Sequence, residues 1–309
     1  SIGYISAGTV LTLGLVRFLH GFAAAMVIPV AFAYIGDLAP VDEEGRYVGV
    51  FQTALFLGFG FGPLVGGVIS EAFSMKANFQ VLGALAGAAA LMVLFGVGES
   101  VPARRPKPVP ILISLKVPIV SGLMTFRFTT ALGRGTLMAF LPLFADKIGH
   151  LGTSQIGLII SSNTLLSAAF QRAGGGLADR RDRAALVLVG SLLSAAVMFV
   201  LPLGRSFLPL LVLNLVLGLS SAVSLPAASA LTIEEGRKAG MGQLFGLFNV
   251  AMSAGIATGP LFAGGIARAI NLQAVFPFAG IAMLLGGLVF YALSSRSQSI
   301  SAASNTGPS

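Results

Sequence analysis

Residues 49–67 read GVFQTALFLGFGFGPLVGG and contain no charged side chain. An α-helix rises 1.5 Å per residue, so about 20 apolar residues cross the roughly 30 Å of hydrocarbon in a bilayer. Backbone groups in lipid must bond to one another, which leaves helices and closed β-barrels as the only spanning structures. The stretch lacks the apolar/polar alternation of a barrel strand. It therefore predicts a membrane-spanning α-helix.

The composition of the whole chain agrees with this interpretation. Of 309 residues, 55% are hydrophobic and 10% are charged, and the mean hydropathy is +0.91. Soluble proteins contain about a quarter charged residues, so a soluble domain is excluded. The net charge of +8 comes from basic residues that cluster in short loops. This pattern indicates membrane orientation rather than a nucleic-acid partner.

Nine apolar segments are long enough to span a bilayer, and each is bounded by charge, Pro or Gly. We therefore predict an all-α integral membrane protein whose first partner is the lipid bilayer. The predicted spans are 10–36, 46–71, 78–98, 117–144, 154–176, 184–203, 207–232, 240–267 and 273–294.

Two polar stretches divide the chain. Residues 99–116 (ESVPARRPKPVPILISLK) are basic and Pro-rich, which is typical of a linker. Residues 295–309 are Ser-rich and predict a disordered tail. The predicted domains are thus 1–98 and 117–294, and the first residues, 1–9, are expected to form a loop.

The basic residues of the loops fall into two sets that alternate with the predicted spans. The larger set should face the cytoplasm, which places the carboxy terminus there and predicts a multi-pass plasma-membrane protein. Eleven residues form this set: Arg46, Arg104, Arg105, Lys107, Lys116, Arg180, Arg181, Arg183, Arg237, Lys238 and Arg296. Four form the other: Lys76, Lys147, Arg205 and Arg268.

The chain repeats itself at an offset of 197 residues. Helix-breaking residues at matching depth in two apolar halves indicate a transporter repeat. The span that begins near 117 has no counterpart here, so the repeat predicts about 80 residues and three helices before Ser1. The matched pairs are Gly21/Gly218, Pro29/Pro226, Gly49/Gly246, Gly58/Gly255, Gly62/Gly259, Pro63/Pro260 and Phe79/Phe276.

The glycines of the opening stretch form a spaced motif: Gly49, Gly58, Gly62-Pro63 and Gly66-Gly67. The spacing resembles the antiporter motif in the fifth helix of drug/proton antiporters of the major facilitator superfamily. The glycines allow close helix packing and the proline bends the helix. The preceding span carries Arg17, His20 and Gly21, which resemble the fourth-helix motif of the same family.

This resemblance implies a fold of twelve transmembrane helices, of which the chain would contain helices 4–12. It implies alternating access in a protein that is monomeric at full length. It also implies proton-coupled efflux of a small molecule, with the proton gradient as energy source and no cofactor. The open alternatives are a metabolite- or sugar-type symporter or uniporter, and a truncated membrane protein that does not transport.

The roles of Arg17 and His20 stay open at this point. The resemblance implies that Arg17 takes part in proton coupling, because a cation inside a span usually faces a cavity or a partner. Its long side chain could instead reach the outer interface. Histidine can change its charge near neutral pH, but a histidine in a helix can equally be a neutral hydrogen-bonding group.

The loop 175–183 (GGLADRRDR) is similar to the short motif that joins the second and third helices of each half in this family. The similarity implies a cytoplasmic gate in which Asp179 lies near Arg46, at the start of the fifth helix, where the helix dipole favours an anion. It also implies that Arg180 or Arg183 pairs with Glu234 or Glu235. Asp182 replaces the usual Gly. The alternative is an ordinary basic cytoplasmic loop.

Two arginines, Arg127 and Arg134, lie within the span 117–144, and no acid lies at similar depth. Arg134 should therefore face an anionic substrate, a group outside the chain or a carbonyl. Four further polar residues within spans can bridge helices or contact substrate: Asn163, Gln171, Asn214 and Asn249.

The sequence contains no pattern that predicts an enzyme. It has no Cys and two His, so thiolate and clustered-His metal sites are not expected. It also lacks a phosphate-binding loop that ends in Lys-Ser or Lys-Thr. We therefore expect neither catalysis nor ATP-driven transport.

Overall fold

The computed structural model describes residues 2–6, 8–38, 44–98, 117–239 and 241–305. Within these residues the chain folds into α-helices and one 3₁₀ turn at Leu201–Leu203, without a β-strand. The helices, numbered here in chain order, are α1 Ile2–Ser6, α2 Val10–Leu38, α3 Glu44–Ala72, α4 Met75–Gly96, α5 Pro118–Lys147, α6 Thr153–Arg180, α7 Arg183–Val200, α8 Phe207–Ala239, α9 Met241–Ala269 and α10 Val275–Asn305.

Helices α2 to α10 correspond one for one to the nine predicted spans. In the described part of the chain, eight of them are long and apolar enough to cross a membrane. The other is α6, which is 28 residues long but carries polar side chains along its length. The all-α membrane fold is confirmed.

Two expectations about the ends of the chain are wrong. Ile2–Ser6 is a short helix rather than part of a loop. The last helix continues to Asn305, so residues 295–305 are helical rather than disordered. Neither Pro nor Gly occurs between 295 and 305 to end the helix. The predicted linker 99–116 lies outside the described residues.

The chain divides into two compact units, Ser1–Lys107 and Pro108–Ser309. In the first unit, α1 contacts α2 and α4, and α3 contacts α2 and α4. Many apolar side chains of this unit are exposed, among them Phe18, Leu85 and Phe95. Exposed large apolar side chains are what a helix presents to lipid.

The second unit contains a packed interior. Helix α5 lies against α9 and α10, α6 lies against α8, and α7 lies against α8 and α10. One cluster of buried side chains includes Phe144 and Phe276, whose ring centroids are 5.2 Å apart. A second cluster includes Phe126 and Phe290 at 6.0 Å. Edge-to-face and tilted ring pairs at such distances are favourable.

Glycines bring the backbones of α5 and α9 together. A Cβ atom on Gly255 would meet the carbonyl oxygen of Phe128, and one on Gly259 would meet that of Leu132. From the other side, a Cβ on Gly135 would lie 2.6 Å from the carbonyl oxygen of Ile256. Small residues at such positions allow the dispersion contacts that hold membrane helices together.

The 197-residue repeat is visible in the helix boundaries. Helix α3 covers Glu44–Ala72, and adding 197 gives Met241–Ala269, which are the bounds of α9. Helices α2 and α8 likewise begin 197 residues apart, at Val10 and Phe207. The first copy differs in packing, because no described atom lies within 4 Å of a Cβ built on Gly58 or Gly62.

This difference predicts unequal effects of the same substitution. Gly259→Ala places a methyl group against the backbone of α5 and should destabilise the protein by about 1–3 kcal/mol. The matched change Gly62→Ala meets no described atom and should leave stability unchanged. Thermal unfolding of the two variants in detergent measures this. Equal losses of stability would contradict the packing described here.

Candidate functional site

Tyr4, Arg17 and His20 form a polar cluster in the first unit. The Tyr4 hydroxyl lies 3.0 Å from His20 Nδ1, and Arg17 Nη1 donates to the same hydroxyl at 3.3 Å. The guanidinium carbon of Arg17 lies 5.6 Å from the centroid of the Tyr4 ring, and this ring stacks on Phe79 at 4.9 Å. Tyr4 is 9% exposed, and its hydroxyl contacts both basic side chains.

The cluster lies within the apolar length of α2. Arg17 and His20 stand about 10 and 15 Å along the axis from the first residue of the helix, Val10. Both side chains are exposed on the surface of their unit, and Tyr4 covers one side of each. The sequence singled out Arg17 and His20 but not Tyr4, which it placed in a loop. The chain contains only four tyrosines, and this rarity was the one feature of the sequence that could have drawn attention to Tyr4.

Arg183 connects three segments at one end of the second unit. Its Nη1 lies 3.0 Å from Glu234 Oε2 on α8, and its Nη2 lies 3.9 Å from Asp179 Oδ1 on α6. Its Nε donates to the carbonyl oxygen of Ala178 at 3.2 Å. The side chains of Arg183 and Glu234 are 32% and 56% exposed, so water screens their attraction. We refer to Asp179, Arg183 and Glu234 as the α6–α8 latch.

Asp182 has a structural role in this loop. Its side chain accepts a hydrogen bond from the backbone N–H of Ala184 at 2.9 Å and so caps the start of α7. The chain thus turns from α6 into α7 without the glycine that the family motif usually has there. The side chain of Arg46 lies outside the described residues, and its predicted pairing with Asp179 stays a prediction, as do roles for Arg180 and Glu235.

Arg127 lies between α5 and α9. Its Nη2 is 2.7 Å from the sulfur of Met252, and its guanidinium carbon is 4.6 Å from the centroid of the Phe248 ring. Its Nε is buried and has no hydrogen-bond partner among the residues that the structure describes. Arg134, two turns further along α5, is exposed on the surface of the unit. No hydrogen bond or ion pair links Arg134 to the described part of the chain.

The four amide side chains that were predicted to bridge helices or contact substrate separate into two groups. Asn163 donates to the backbone carbonyl of Asn214 at 3.2 Å, and the amide nitrogen of Asn214 donates to Leu210 within its own helix at 2.9 Å. Asn214 is fully buried. These two residues join α6 to α8. Gln171 is half-buried and Asn249 is exposed, so both remain candidates for contact with a ligand.

The spaced glycines of the first unit lie along α3, with Pro63 inside the helix. A Cβ on Gly66 would lie 3.2 Å from the amide nitrogen of Asn78 on α4, and this nitrogen donates to Ser70 at 3.2 Å. Gly66 therefore takes part in the contact between α3 and α4, whereas Gly58 and Gly62 have no described neighbour at that distance.

Sequence comparison also finds the family that the glycine and loop motifs resemble. The chain matches the Major Facilitator Superfamily over residues 1–127 and again over residues 123–308. The chain belongs to this superfamily of membrane transporters. The two matches meet in α5, next to the boundary that the contacts place between the two units.

Several curated relatives resemble the chain along most of its length. An uncharacterized MFS-type transporter of Methanocaldococcus jannaschii is 26% identical over 302 residues, covering 93% of this chain and 76% of the relative. A homolog of the multi-drug resistance efflux pump PmrA from Lactococcus lactis is 28% identical, covering 84% of this chain and 65% of the relative. The chain thus spans between about two thirds and three quarters of these relatives.

Solved structures show the same fold. A bacterial homolog of the human lysosomal transporter Spinster, in an inward-facing and unoccupied conformation, matches with a TM-score of 0.69 at 16% identity. The match covers 95% of this chain and 79% of that protein. The human organic anion transporter MFSD10 matches with a TM-score of 0.60 at 19% identity, covering 94% and 73%. At these identities the likeness concerns the fold alone.

The ion pairs of the α6–α8 latch should contribute to the free energy of unfolding. Arg183→Glu places a third acid beside Asp179 and Glu234 and should cost about 1 kcal/mol. Adding Glu234→Arg restores a pair of opposite charges and should recover most of this loss. A double-mutant cycle by thermal unfolding in detergent at low salt measures the coupling. Independent, additive effects of the two changes would show that the side chains do not interact.

Proposed function

We propose that the chain belongs to a transporter that exports small organic molecules by alternating access, in exchange for protons. Export is supported by the relatives of the chain. PmrA is a multi-drug resistance efflux pump, and PmrA and its homolog each match 84% of the chain. The antiporter-like glycine motif on α3 supports the same direction of transport.

The observation that carries proton coupling is the cluster of Tyr4, Arg17 and His20. Both basic side chains contact one hydroxyl oxygen, so their nitrogens lie within about 6 Å of each other. A proton taken up by His20 would place a second positive charge beside Arg17, and like charges at this distance repel. The repulsion would favour a conformation that separates the two groups or exposes them to water.

The α6–α8 latch would supply a contact that opens and closes in the same cycle. Exposed ion pairs contribute about 0–1 kcal/mol, which a bound ligand or proton can overcome. Arg183 also contacts the carbonyl oxygen at the end of α6. Breaking its bond to Glu234 would therefore open this one contact with α8 without unfolding the turn that Asp182 caps.

Proteoliposomes with an acidic lumen and a clamped membrane potential test this proposal. Ethidium and naphthalene-2-sulfonate, each supplied outside, serve as cationic and anionic probes. A gradient of one pH unit provides about 1.4 kcal/mol per proton, so one-for-one exchange drives up to about tenfold accumulation. We expect accumulation of at least one probe that depends on both the gradient and the protein.

Substitution of the two histidines locates the coupling. His20→Gln keeps a hydrogen-bonding side chain but cannot take up a proton, so uptake should continue without responding to the gradient. His150→Asn is the matched control, because His150 lies in a loop with φ of 49°, which asparagine tolerates well. Equal flux with and without the gradient in the unaltered protein would refute proton coupling. The absence of flux for both probes would refute export.

A further inference from the structure

Helix α5 carries two arginines on one face, deep within its apolar length. Arg127 and Arg134 are seven residues apart, which is close to two helical turns and about 10 Å along the axis. They stand about 14 and 24 Å from the first residue of a helix about 45 Å long. A cation at this depth is costly and usually faces a cavity or an oppositely charged group.

The described surroundings of Arg127 do not provide acceptors for all the N–H donors of its guanidinium group. The contacts that the structure provides are a thioether sulfur, which is a weak acceptor, and an aromatic face. Its buried Nε donates to no atom of the described residues. A buried donor without a partner costs about 1–3 kcal/mol, so an acceptor that reaches Arg127 would be strongly favoured.

Arg134 is directed away from the packed side of α5. Its neighbours Gly133 and Gly135 face Met283 of α10 and Ile256 of α9, and both glycines are buried. The Arg134 side chain, which lies between them in sequence, is exposed. Met138, one turn further along the same face, is 48% exposed. This face of α5 therefore presents one free guanidinium group beside apolar surface.

In the described part of the second unit, no carboxylate lies as deep within a helix as these two cations. Each acidic residue that the structure describes there lies within about one and a half turns of a helix end or caps one. They are Asp146, Asp179, Asp182, Glu234 and Glu235. The positive charge within α5 is thus not balanced by a described residue of its own unit.

We propose that the Arg127/Arg134 face of α5 lines a water-accessible cavity and binds the anionic group of an amphiphilic organic anion. This inference rests on the proposed transport function and specifies the class of substrate. Arg134 binds the sulfonate, carboxylate or phosphate oxygens through its planar fork of N–H donors. Met138, which is exposed one turn from Arg134, contacts the apolar body of the ligand. Arg127 adds a second positive charge about two turns away.

The site should discriminate by charge, because two fixed cations attract an anion and repel a cation of the same shape. Naphthalene-2-sulfonate and the trimethyl(naphthalen-2-yl)ammonium ion share one aromatic body and carry permanent opposite charges. Equilibrium dialysis of each radiolabelled probe against the purified 309-residue chain in uncharged lipid nanodiscs measures both affinities. We expect the sulfonate to bind at least about tenfold more tightly, a difference of about 1.4 kcal/mol.

Variants of Arg134 identify the group that binds. Arg134→Gln should weaken sulfonate binding about tenfold and leave ammonium binding unchanged or slightly stronger, and Arg134→Lys, which keeps the charge, should lose less. Arg268→Gln removes an exposed cation in the last turn of α9 and is the matched control, with no expected change. If Arg134→Gln does not fold, the two probes on the unaltered chain decide the question.

Several results would overturn the inference. Equal affinity for the two probes, binding of neither, or unchanged sulfonate binding by folded Arg134→Gln would each show that the arginines do not bind an anion. The transport assay separates this failure from failure of the proposed function. Gradient-driven uptake of ethidium without sulfonate selectivity would leave export standing and refute the anion site. Selective sulfonate binding without flux of either probe would support the anion site and refute export.

Discussion

The backbone contact between α5 and α9 is the interaction on which the second unit depends. Gly255 and Gly259 allow α9 to lie against the carbonyl groups of α5, and Gly135 allows α5 to approach Ile256 in return. Lipid provides no hydrophobic driving force between helices, so such close packing must hold them together. The same contact places Phe248 and Met252 of α9 around Arg127. The same glycines therefore allow α5 and α9 to pack closely and position the side chains that surround Arg127.

The membrane also explains how charge is distributed in the chain. The carboxylates that the structure describes lie near helix ends, as Glu234 does beside Arg183. The described charges that lie deeper within helices are cations, among them Arg17 beside Tyr4 and His20 in the first unit, and Arg127 with Arg134 in the second. A long guanidinium side chain can lie along apolar surface while its head finds water or a ligand. Both clusters are therefore the candidate positions at which α2 and α5 meet something other than lipid.

The spans could be predicted from the sequence because each depends on a long apolar run bounded by charge, Pro or Gly. The repeat could be predicted too, since Gly58/Gly255 and Gly62/Gly259 keep their spacing, and α3 and α9 share their bounds at the 197-residue offset. The side-chain contacts could not be predicted. Tyr4 reaches Arg17 and His20 through tertiary packing, which no periodic pattern in the sequence indicates. Asn163 and Asn214 show the same limit, since a polar residue within a span bridges helices or faces a ligand according to its rotation about the helix axis. The helical course of residues 295–305 was missed because a Ser-rich composition resembles a disordered tail.

Whether the arginine face of α5 meets water, as we propose, or lipid can be measured directly by thiol labelling, because the chain contains no cysteine. Met138→Cys places a thiol one turn from Arg134, whereas Val189→Cys places one on the exposed surface of α7, where Val189 is 56% exposed. Both variants are reconstituted in lipid and treated with a charged, membrane-impermeant thiol reagent. We expect that the thiol at position 138 reacts, that the thiol at position 189 does not, and that naphthalene-2-sulfonate slows the reaction at 138. A thiol at position 138 as unreactive as that at 189 would contradict this expectation.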